Sequence, residues 1–276
     1  ALGFKALEDF VADTDGHGGN TAVGSSSMSN LSTGTENTAV GGLAMGTGVT
    51  TGIYNTAVGY GAGNQLTSGQ YNVLIGGNAG TAITTGESNV IIGLNAGDAL
   101  VEGHDNVAIG QSALSSENAH GRNTAIGHQT LATLDAGANG NNVAVGYDAG
   151  VAMTTGIENT IIGGLAGDAI TTGIENTLIG LNAGTSLVES SRNVAIGHNA
   201  LSTQVSNNGS VAIGWRALYV ANTSATPNNV AVGYGAGVAV STGVNNTILG
   251  SLAGDALTTG DNNIIIGVNA AASAVD

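Results

Sequence analysis

A five-residue motif recurs along almost the whole chain at a nearly constant spacing. It reads Asn, three small or aliphatic residues, then Gly, as in NTAVG from Asn20 to Gly24. The spacing between its closing glycines is 17 to 19 residues, and 17 is the commonest value. Fifteen tandem units of this length predict a repeat architecture, in which stacked copies bury what one copy cannot. The closing glycines are Gly24, Gly41, Gly59, Gly76, Gly93, Gly110, Gly127, Gly146, Gly163, Gly180, Gly197, Gly214, Gly233, Gly250 and Gly267.

Each unit reads as two short strands joined by two turns. Side chains alternate along a strand, so motif positions two and four share one face and position three takes the other. Position four is Val, Ile or Leu in every unit, and we therefore predict that positions two and four point inward and position three outward. Seven residues after the closing glycine many units place another aliphatic residue, as in Leu66 and Ile83, followed by a turn glycine such as Gly69 or Gly86.

Stacking these units predicts an all-β fold, a parallel β-solenoid of about fifteen 17-residue coils. The solenoid occupies residues 20–276, and residues 1–19 form a divergent first coil or an N-terminal cap. At ~4.8 Å between paired strands, fifteen coils make a rod of roughly 70 Å. Position one is Asn in every unit except at Ser210, so stacked amides should form a hydrogen-bonded ladder. A row of ligand-binding amides is the alternative.

The units are also grouped in fives. The sequence NNVAVGYDAGVAMTTG begins at Asn141, and NNVAVGYGAGVAVSTG begins 87 residues later at Asn228. We call the five units of a block a to e, with unit a closing at Gly59, Gly146 and Gly233. Position three is Ala in units a, d and e but bulky in units b and c. Because position three is expected outside, where an apolar stripe requires a partner, we predict inter-chain contacts at Leu74, Ile91, Ile161, Leu178, Ile248 and Ile265. A simple ancestral duplication is the alternative explanation of the 87-residue period.

Composition excludes several classes of partner and site. The chain carries 19 acidic and 4 basic residues, for a net charge of −15, so binding to nucleic acid or to an anionic membrane is not expected. No run of 18 apolar residues is present, so no transmembrane helix is expected. The absence of cysteine excludes disulfides and thiolate metal sites.

No catalytic, cofactor-binding or metal-binding constellation is predicted. The five histidines, His17, His104, His120, His128 and His198, occupy turns and lack metal-ligand spacing. The segment from Asp13 to Gly16 is similar to part of a calcium loop, but the further oxygen ligands are missing. No nucleophile elbow, phosphate loop or paired-carboxylate motif occurs, so the chain is predicted not to be an enzyme.

A tyrosine follows the closing glycine of each unit a. These residues, Tyr60, Tyr147 and Tyr234, should recur on one side of the rod and are the candidate surface-recognition residues. Exposed tyrosines can stack on glycans or lie between chains. A turn residue that packs on its neighbours is the alternative.

The motif resembles a known repeat. GSVAIG at Gly209 to Gly214 and NVAIG at Asn106 to Gly110 resemble the NSVAIG-type repeat of trimeric autotransporter adhesin heads. The longer pattern, ending in TTGxxNTxIG, is similar to repeats of phage tail fibres. The resemblance implies a left-handed β-roll, a homotrimer, an extracellular or virion-surface location, and attachment to a cell-surface glycan or receptor. The adhesin repeat is usually shorter than the unit found here.

Two other functions remain open from the sequence. The first is a subunit of an extracellular filament in which rods join head to tail. The second is ice or carbohydrate binding by a flat face that bears threonine. Threonine is irregular at position two and is predicted to point inward, which disfavours the second.

Overall fold

The computed structural model describes residues 1–9, 18–203, 208–220 and 227–273. Within these ranges the chain contains fifteen strands of three residues each and no helix. Each strand occupies motif positions two to four, so the all-β repeat fold is confirmed. The strands are β1 (Thr21–Val23), β2 (Thr38–Val40), β3 (Thr56–Val58), β4 (Val73–Ile75), β5 (Val90–Ile92), β6 (Val107–Ile109), β7 (Thr124–Ile126), β8 (Val143–Val145), β9 (Thr160–Ile162), β10 (Thr177–Ile179), β11 (Val194–Ile196), β12 (Val211–Ile213), β13 (Val230–Val232), β14 (Thr247–Leu249) and β15 (Ile264–Ile266).

The chain divides into two compact units, Ala1–Asn141 and Asn142–Asp276. In the first unit β1 to β7 pair in chain order, and in the second unit β8 to β15 do the same. Every pair is parallel and joins equal motif positions, as where Val90 pairs with Val107. Each unit is therefore a parallel β-solenoid, as the repeat predicts. The left-handed sense implied by the resemblance stays a prediction.

The first residues of the chain stack on the first full coil. Leu2 bridges Val23 in parallel, and the backbone N–H of Leu7 donates to the carbonyl of Ser27 at 3.1 Å. Residues 2–9 thus follow the coil geometry. Residues 10–17, which complete the predicted first coil or cap, lie outside the described residues.

The prediction of two strands per unit was wrong for the residues described. Each coil has one strand, and the rest of the coil is a series of turns that hydrogen bond to the neighbouring coils. The N–H of Gly80 donates to the carbonyl of Ala96 at 2.9 Å, and the N–H of Thr84 donates to that of Val101 at 3.0 Å. Left-handed backbone conformations, such as φ 56° at Asn78, interrupt any pleat between the strand and the second aliphatic residue.

The closing glycine is required by its backbone and by the close approach of the next coil. Gly76 has φ +133°, a conformation that L side chains rarely adopt. A Cβ at this position would lie 2.5 Å from the carbonyl oxygen of Gly93, the closing glycine of the following coil. The same arrangement repeats along each unit. The motif glycine therefore sets the tight spacing of the coils at this corner.

The strand faces are the reverse of the sequence prediction. The central residue of each strand points into the coil and is fully buried at fourteen strands, while Ile265, in the last strand, is 8% exposed. The two flanking residues point outward and are partly exposed. The predicted inter-chain contacts are therefore core residues, and none of them can meet another chain. They are Leu74, Ile91, Ile161, Leu178, Ile248 and Ile265.

The error has a physical cause in the width of the coil. A coil of 17 residues encloses a narrow interior, which the strand centre fills with Ala in units a, d and e. The column of constant Val, Ile and Leu at position four is large because it faces outward, where width is not limited. Side-chain size is thus nearly constant at the outward position four, whereas at the inward position three it varies between Ala and Leu or Ile.

The five-coil period is a pattern of core packing. The fourth residue after the closing glycine also points inward, and it is Gly in units a, b and c except at Ala271 in the last coil. A Cβ at Gly63 would lie 2.6 Å from Cδ1 of Leu74, and one at Gly97 would lie 3.2 Å from Cδ1 of Ile91. In units d and e the strand centre is Ala, and the fourth residue is one of the buried side chains Met28, Met45, Leu114, Leu131, Leu201 and Leu218. The same interior volume is thus filled from one wall or from the other.

This complementarity predicts a strong coupling between Ile91 and Gly97. Ile91→Ala should destabilise the fold by about 2–4 kcal/mol because it leaves a cavity. Gly97→Leu should cost about 1–3 kcal/mol because its side chain would overlap Ile91. The double variant reproduces the Ala108 and Leu114 pair of the next coil and should recover most of both losses. Chemical denaturation of the four proteins measures the coupling free energy. If the two losses of stability simply add in the double variant, positions 91 and 97 do not fill one shared interior volume.

Candidate functional site

The outward strand residues form a regular surface along each of the two units. We call this surface, motif positions two and four of every strand, the outer strand face. Position four is always Val, Ile or Leu, and position two is Thr, Val or Ile, so none of the thirty residues is charged. Ile75 and Ile162 are 37% exposed, and Leu249 is 46% exposed. Each unit therefore presents an uncharged face that carries an aliphatic residue at position four of every strand.

Charged residues lie beside this face rather than on it. In several coils a charged residue precedes the motif asparagine, as at Asp105, Glu158, Glu175 and Arg192. Arg192 Nε lies 2.9 Å from Glu175 Oε2, one coil below, and both side chains are well exposed. Such exposed pairs contribute little to stability. We therefore expect water to remain around this charged row and to be excluded from the outer strand face.

Threonine at position two faces outward, which corrects the inward placement predicted from the sequence. Runs of Thr are interrupted by Val, as where Val73, Val90 and Val107 occupy successive coils. A flat surface that binds ice or sugar through threonine needs a regular array of hydroxyls. The mixed column of Thr and Val lacks such an array.

The three predicted recognition tyrosines lie on the surface. Tyr60 is 64% exposed, Tyr147 is 57% exposed and Tyr234 is 52% exposed. The ring of Tyr234 stacks on Trp215 with centroids 4.6 Å apart and planes 11° apart. Arg216 lies over Trp215 with its Cζ 5.1 Å from the ring centroid. The placement agrees with a recognition role and with the packing alternative, and the role itself stays a prediction.

A second aromatic pair was missed by the sequence reasoning. Tyr54 and Tyr71 stack with centroids 5.7 Å apart and planes 7° apart, and both are more than half exposed. They precede the motif asparagine in successive coils and lie 17 residues apart, which was a readable signal. Rings that stack between coils cover part of each other's faces and leave their edges to solvent.

The predicted asparagine ladder is confirmed. The Oδ1 of Asn72 accepts hydrogen bonds from the backbone N–H and the Nδ2 of Asn89, at 3.1 and 3.0 Å. The Nδ2 of Asn89 also donates to the carbonyl of Gly103, at 2.8 Å. The ladder residues between Asn37 and Asn246 are at most 1% exposed. Because the amides are buried and bonded to one another, they do not form a row of ligand-binding groups.

Three residues that can bind a cation come together in the first unit. Ligand atoms of Glu117, His120 and Asp135 all lie within 4.8 Å of one another. Glu117 is fully buried, His120 is 29% exposed through its side chain, and Asp135 is exposed. The sequence prediction of no metal-ligand cluster rested on spacing and did not anticipate this convergence. Of the other histidines, His104 pairs with its neighbour Asp105 at 2.9 Å, and His17 lies outside the described residues, as does the segment from 13 to 16.

The electrostatics of Glu117 are unusual for a carboxylate. Burial raises its pKa above the ordinary value, and the nearby charge of Asp135 raises it further. Hydrogen bonds from the backbone N–H groups of Ala136 and His120, together with the His120 charge, lower the pKa in part. Glu117 therefore lies in a site where an added positive charge would be stabilising.

Comparison with known proteins places the chain in no family. No protein-family model, curated protein or solved structure matches it. None of the described residues belongs to a helix that is long and apolar enough to cross a bilayer. No ligand-sized pocket opens among the described residues either. The outer strand face and the Glu117 cluster are thus the features from which a function is argued.

Proposed function

We propose that the chain is a structural segment of a self-associating fibre that attaches to cell surfaces, of the tail-fibre or trimeric-adhesin type. The observation that carries the proposal is the outer strand face, which has Val, Ile or Leu at position four of all fifteen coils and a charged residue in none. Soluble monomers rarely expose a contiguous apolar surface of this kind, and such surfaces usually bind a partner. Other copies of the same chain are the simplest partner, because they present the same periodicity.

The strength of such an assembly comes from repetition. Ile75, Ile162 and Leu249 each keep more than a third of their residue surface exposed in the single chain. Covering the remaining surface of one such side chain contributes on the order of 0.5–1 kcal/mol. Contacts repeated along many coils then offset the entropy lost on association. The number of three chains, the extracellular or virion-surface location and the binding of a glycan or receptor come from the repeat resemblance.

A non-catalytic role agrees with the composition of the chain. Only 8% of the residues are charged, and the side chains of the repeat fill the coil or the outer strand face. The aromatic residues exposed on the turns, Tyr60, Tyr147 and Tyr234, are the proposed contacts with a cell-surface glycan or receptor. Their rings offer apolar faces and edges together with a hydroxyl group.

Paired threonine substitutions test the assembly. Ile75→Thr with Ile162→Thr should raise the dissociation constant of a trimer by roughly 100-fold, because six side chains lose about 0.5 kcal/mol each. Threonine already occurs on this face, so the strands should remain intact. Val101→Thr with Val188→Thr is the matched control. Both residues lie in turns and are partly exposed, so this variant should have the same assembly mass as the parent protein.

Sedimentation equilibrium reads the outcome. The proposal is supported if the parent protein has the mass of three chains and the Ile75→Thr/Ile162→Thr variant dissociates more readily. A stable monomer at micromolar concentration would refute it. Electron micrographs that show indefinite filaments would instead favour the head-to-tail filament.

A further inference from the structure

The side chain of Glu117 occupies a core position that most other coils fill with an aliphatic residue. It is the seventh residue after its closing glycine, where the adjacent coils place Leu100 and Leu134. All three side chains are fully buried. Burying a carboxylate among apolar groups is costly unless a partner neutralises or binds it. The substitution of Glu for Leu in this column therefore calls for a binding partner.

The protein supplies only part of what this carboxylate can bind. Its Oε1 accepts a hydrogen bond from the backbone N–H of His120 at 3.1 Å, and its Oε2 accepts a longer one from Ala136 at 3.3 Å. A carboxylate has about four lone-pair sites, so two remain. The two backbone bonds fix the carboxylate in place between neighbouring coils.

The imidazole of His120 faces the same point. Its Nδ1 lies 3.3 Å from Glu117 Oε1, yet the angle does not make a hydrogen bond. Nδ1 is buried, and among the described residues it has no hydrogen-bond partner. Leaving a buried ring nitrogen without a hydrogen bond is unfavourable. A cation that binds a lone pair of His120 Nδ1 and a lone pair of the Glu117 carboxylate would satisfy both residues.

Asp135 completes the arrangement from the next coil. It follows Leu134 in one of the two 19-residue units, and its carboxylate lies within 4.8 Å of the ligand atoms of Glu117 and His120. Ligands bound to one Zn²⁺ at 2.0–2.2 Å lie about 3–4 Å apart, so small side-chain rotations would bring the three atoms to a common ion. The exposure of Asp135 and the partial exposure of His120 provide an entry path from solvent.

We propose that Glu117, His120 and Asp135 bind a divalent transition-metal ion, with zinc as the best fit. One imidazole nitrogen and two carboxylate oxygens are a ligand set suited to zinc and its neighbours rather than to calcium, which prefers six to eight oxygens. The fourth position is left to water. The ion joins the coil of Glu117 and His120 to the longer coil of Asp135, and its role is to tie down the two-residue insertion.

The five-coil period does not repeat this ligand set. In the sequence, the residues 87 positions beyond Glu117, His120 and Asp135 are Gln204, Asn207 and Asn222, none of which offers a carboxylate or an imidazole. The five-coil duplication therefore did not carry the ligand set with it. The expected stoichiometry is one ion per chain.

Equilibrium dialysis and calorimetry with Zn²⁺ on the intact chain, after treatment with a chelator, test the proposal. We expect one ion per chain with a micromolar or lower dissociation constant and a rise in Tm of about 5–10 °C at saturating zinc. Asp135→Asn and His120→Ala should each weaken binding by at least about 10-fold. Asp135 is exposed, so its substitution should leave the circular dichroism spectrum unchanged.

His104→Ala is the matched control. His104 is a turn histidine beside a carboxylate in the preceding coil, and its replacement should leave zinc affinity unchanged. Absence of zinc binding by the parent chain would overturn the proposal. So would equal affinity in the parent and the Asp135→Asn variant, or a preference for Ca²⁺ over Zn²⁺.

Discussion

Replacing Ile161 by Asp should unfold the coils around it, whereas replacing its neighbour Ile162 by Asp should leave the fold intact. Ile161 is fully buried at the centre of β9, and Ile162 is 37% exposed on the outer strand face. A buried, unpaired carboxylate costs several kcal/mol, a large fraction of the total stability of a domain. We expect Ile161→Asp to lose at least about 4 kcal/mol and Ile162→Asp to lose less than about 1.5 kcal/mol.

Far-ultraviolet circular dichroism during urea denaturation measures both variants. The Ile162→Asp protein is also expected to sediment as a smaller species, because a charge on the outer strand face opposes association. The reverse pattern, a folded but dissociated Ile161→Asp protein, would restore the outward placement that the sequence suggested.

Replacing Asn89 by Ala should destabilise the fold by more than the smaller size of the side chain alone would predict. The Asn89 side chain donates to Asn72 Oδ1 and to the carbonyl of Gly103. Its Oδ1 accepts from the backbone N–H and the Nδ2 of Asn106, at 3.0 and 3.2 Å. Truncation leaves several of these groups buried without partners, at about 1–3 kcal/mol each. We expect a loss of about 3–5 kcal/mol by thermal and chemical denaturation.

The chain itself offers a matched control for this variant. Ser210 fills the ladder position in one coil, where its Oγ accepts from the backbone N–H of Asn229 at 3.3 Å. Asn89→Ser should therefore keep the bond to the next backbone and lose roughly half as much stability as Asn89→Ala. Equal losses for Ala and Ser would show that the side-chain ladder, rather than the backbone bond, dominates. A loss below about 1 kcal/mol for Asn89→Ala would contradict a structural role for the ladder.

The fold and the ladder were predictable because both depend on periodicity. Repeated units of 17 residues place equal positions above one another, and Asn72 and Asn89 accordingly hydrogen bond across the coils. The choice of face was not predictable from alternation. Three-residue strands allow two opposite assignments, and the size of Ile92 suggested burial, although the interior holds Ile91. The glycines that make room for the interior residues, such as Gly97, carry the correct signal.

The candidate sites were predictable only in part. The tyrosines of unit a were placed on the surface correctly because they follow a turn glycine. Glu117 was readable in principle, since it interrupts a column of Leu and Ile residues at a fixed position of the repeat. Its contact with Asp135 depends on how the two extra residues of the 19-residue coil fold, which spacing alone does not give.

Thiol accessibility along β5 tests the central claim most directly, because the chain contains no cysteine of its own. Val90→Cys, Ile91→Cys and Ile92→Cys are each made in the Ile75→Thr/Ile162→Thr protein, which weakens association. A thiol reagent should modify positions 90 and 92 in the native protein and position 91 only after denaturation, because Ile91 is fully buried. A reactive thiol at 91 between protected thiols at 90 and 92 would contradict the account.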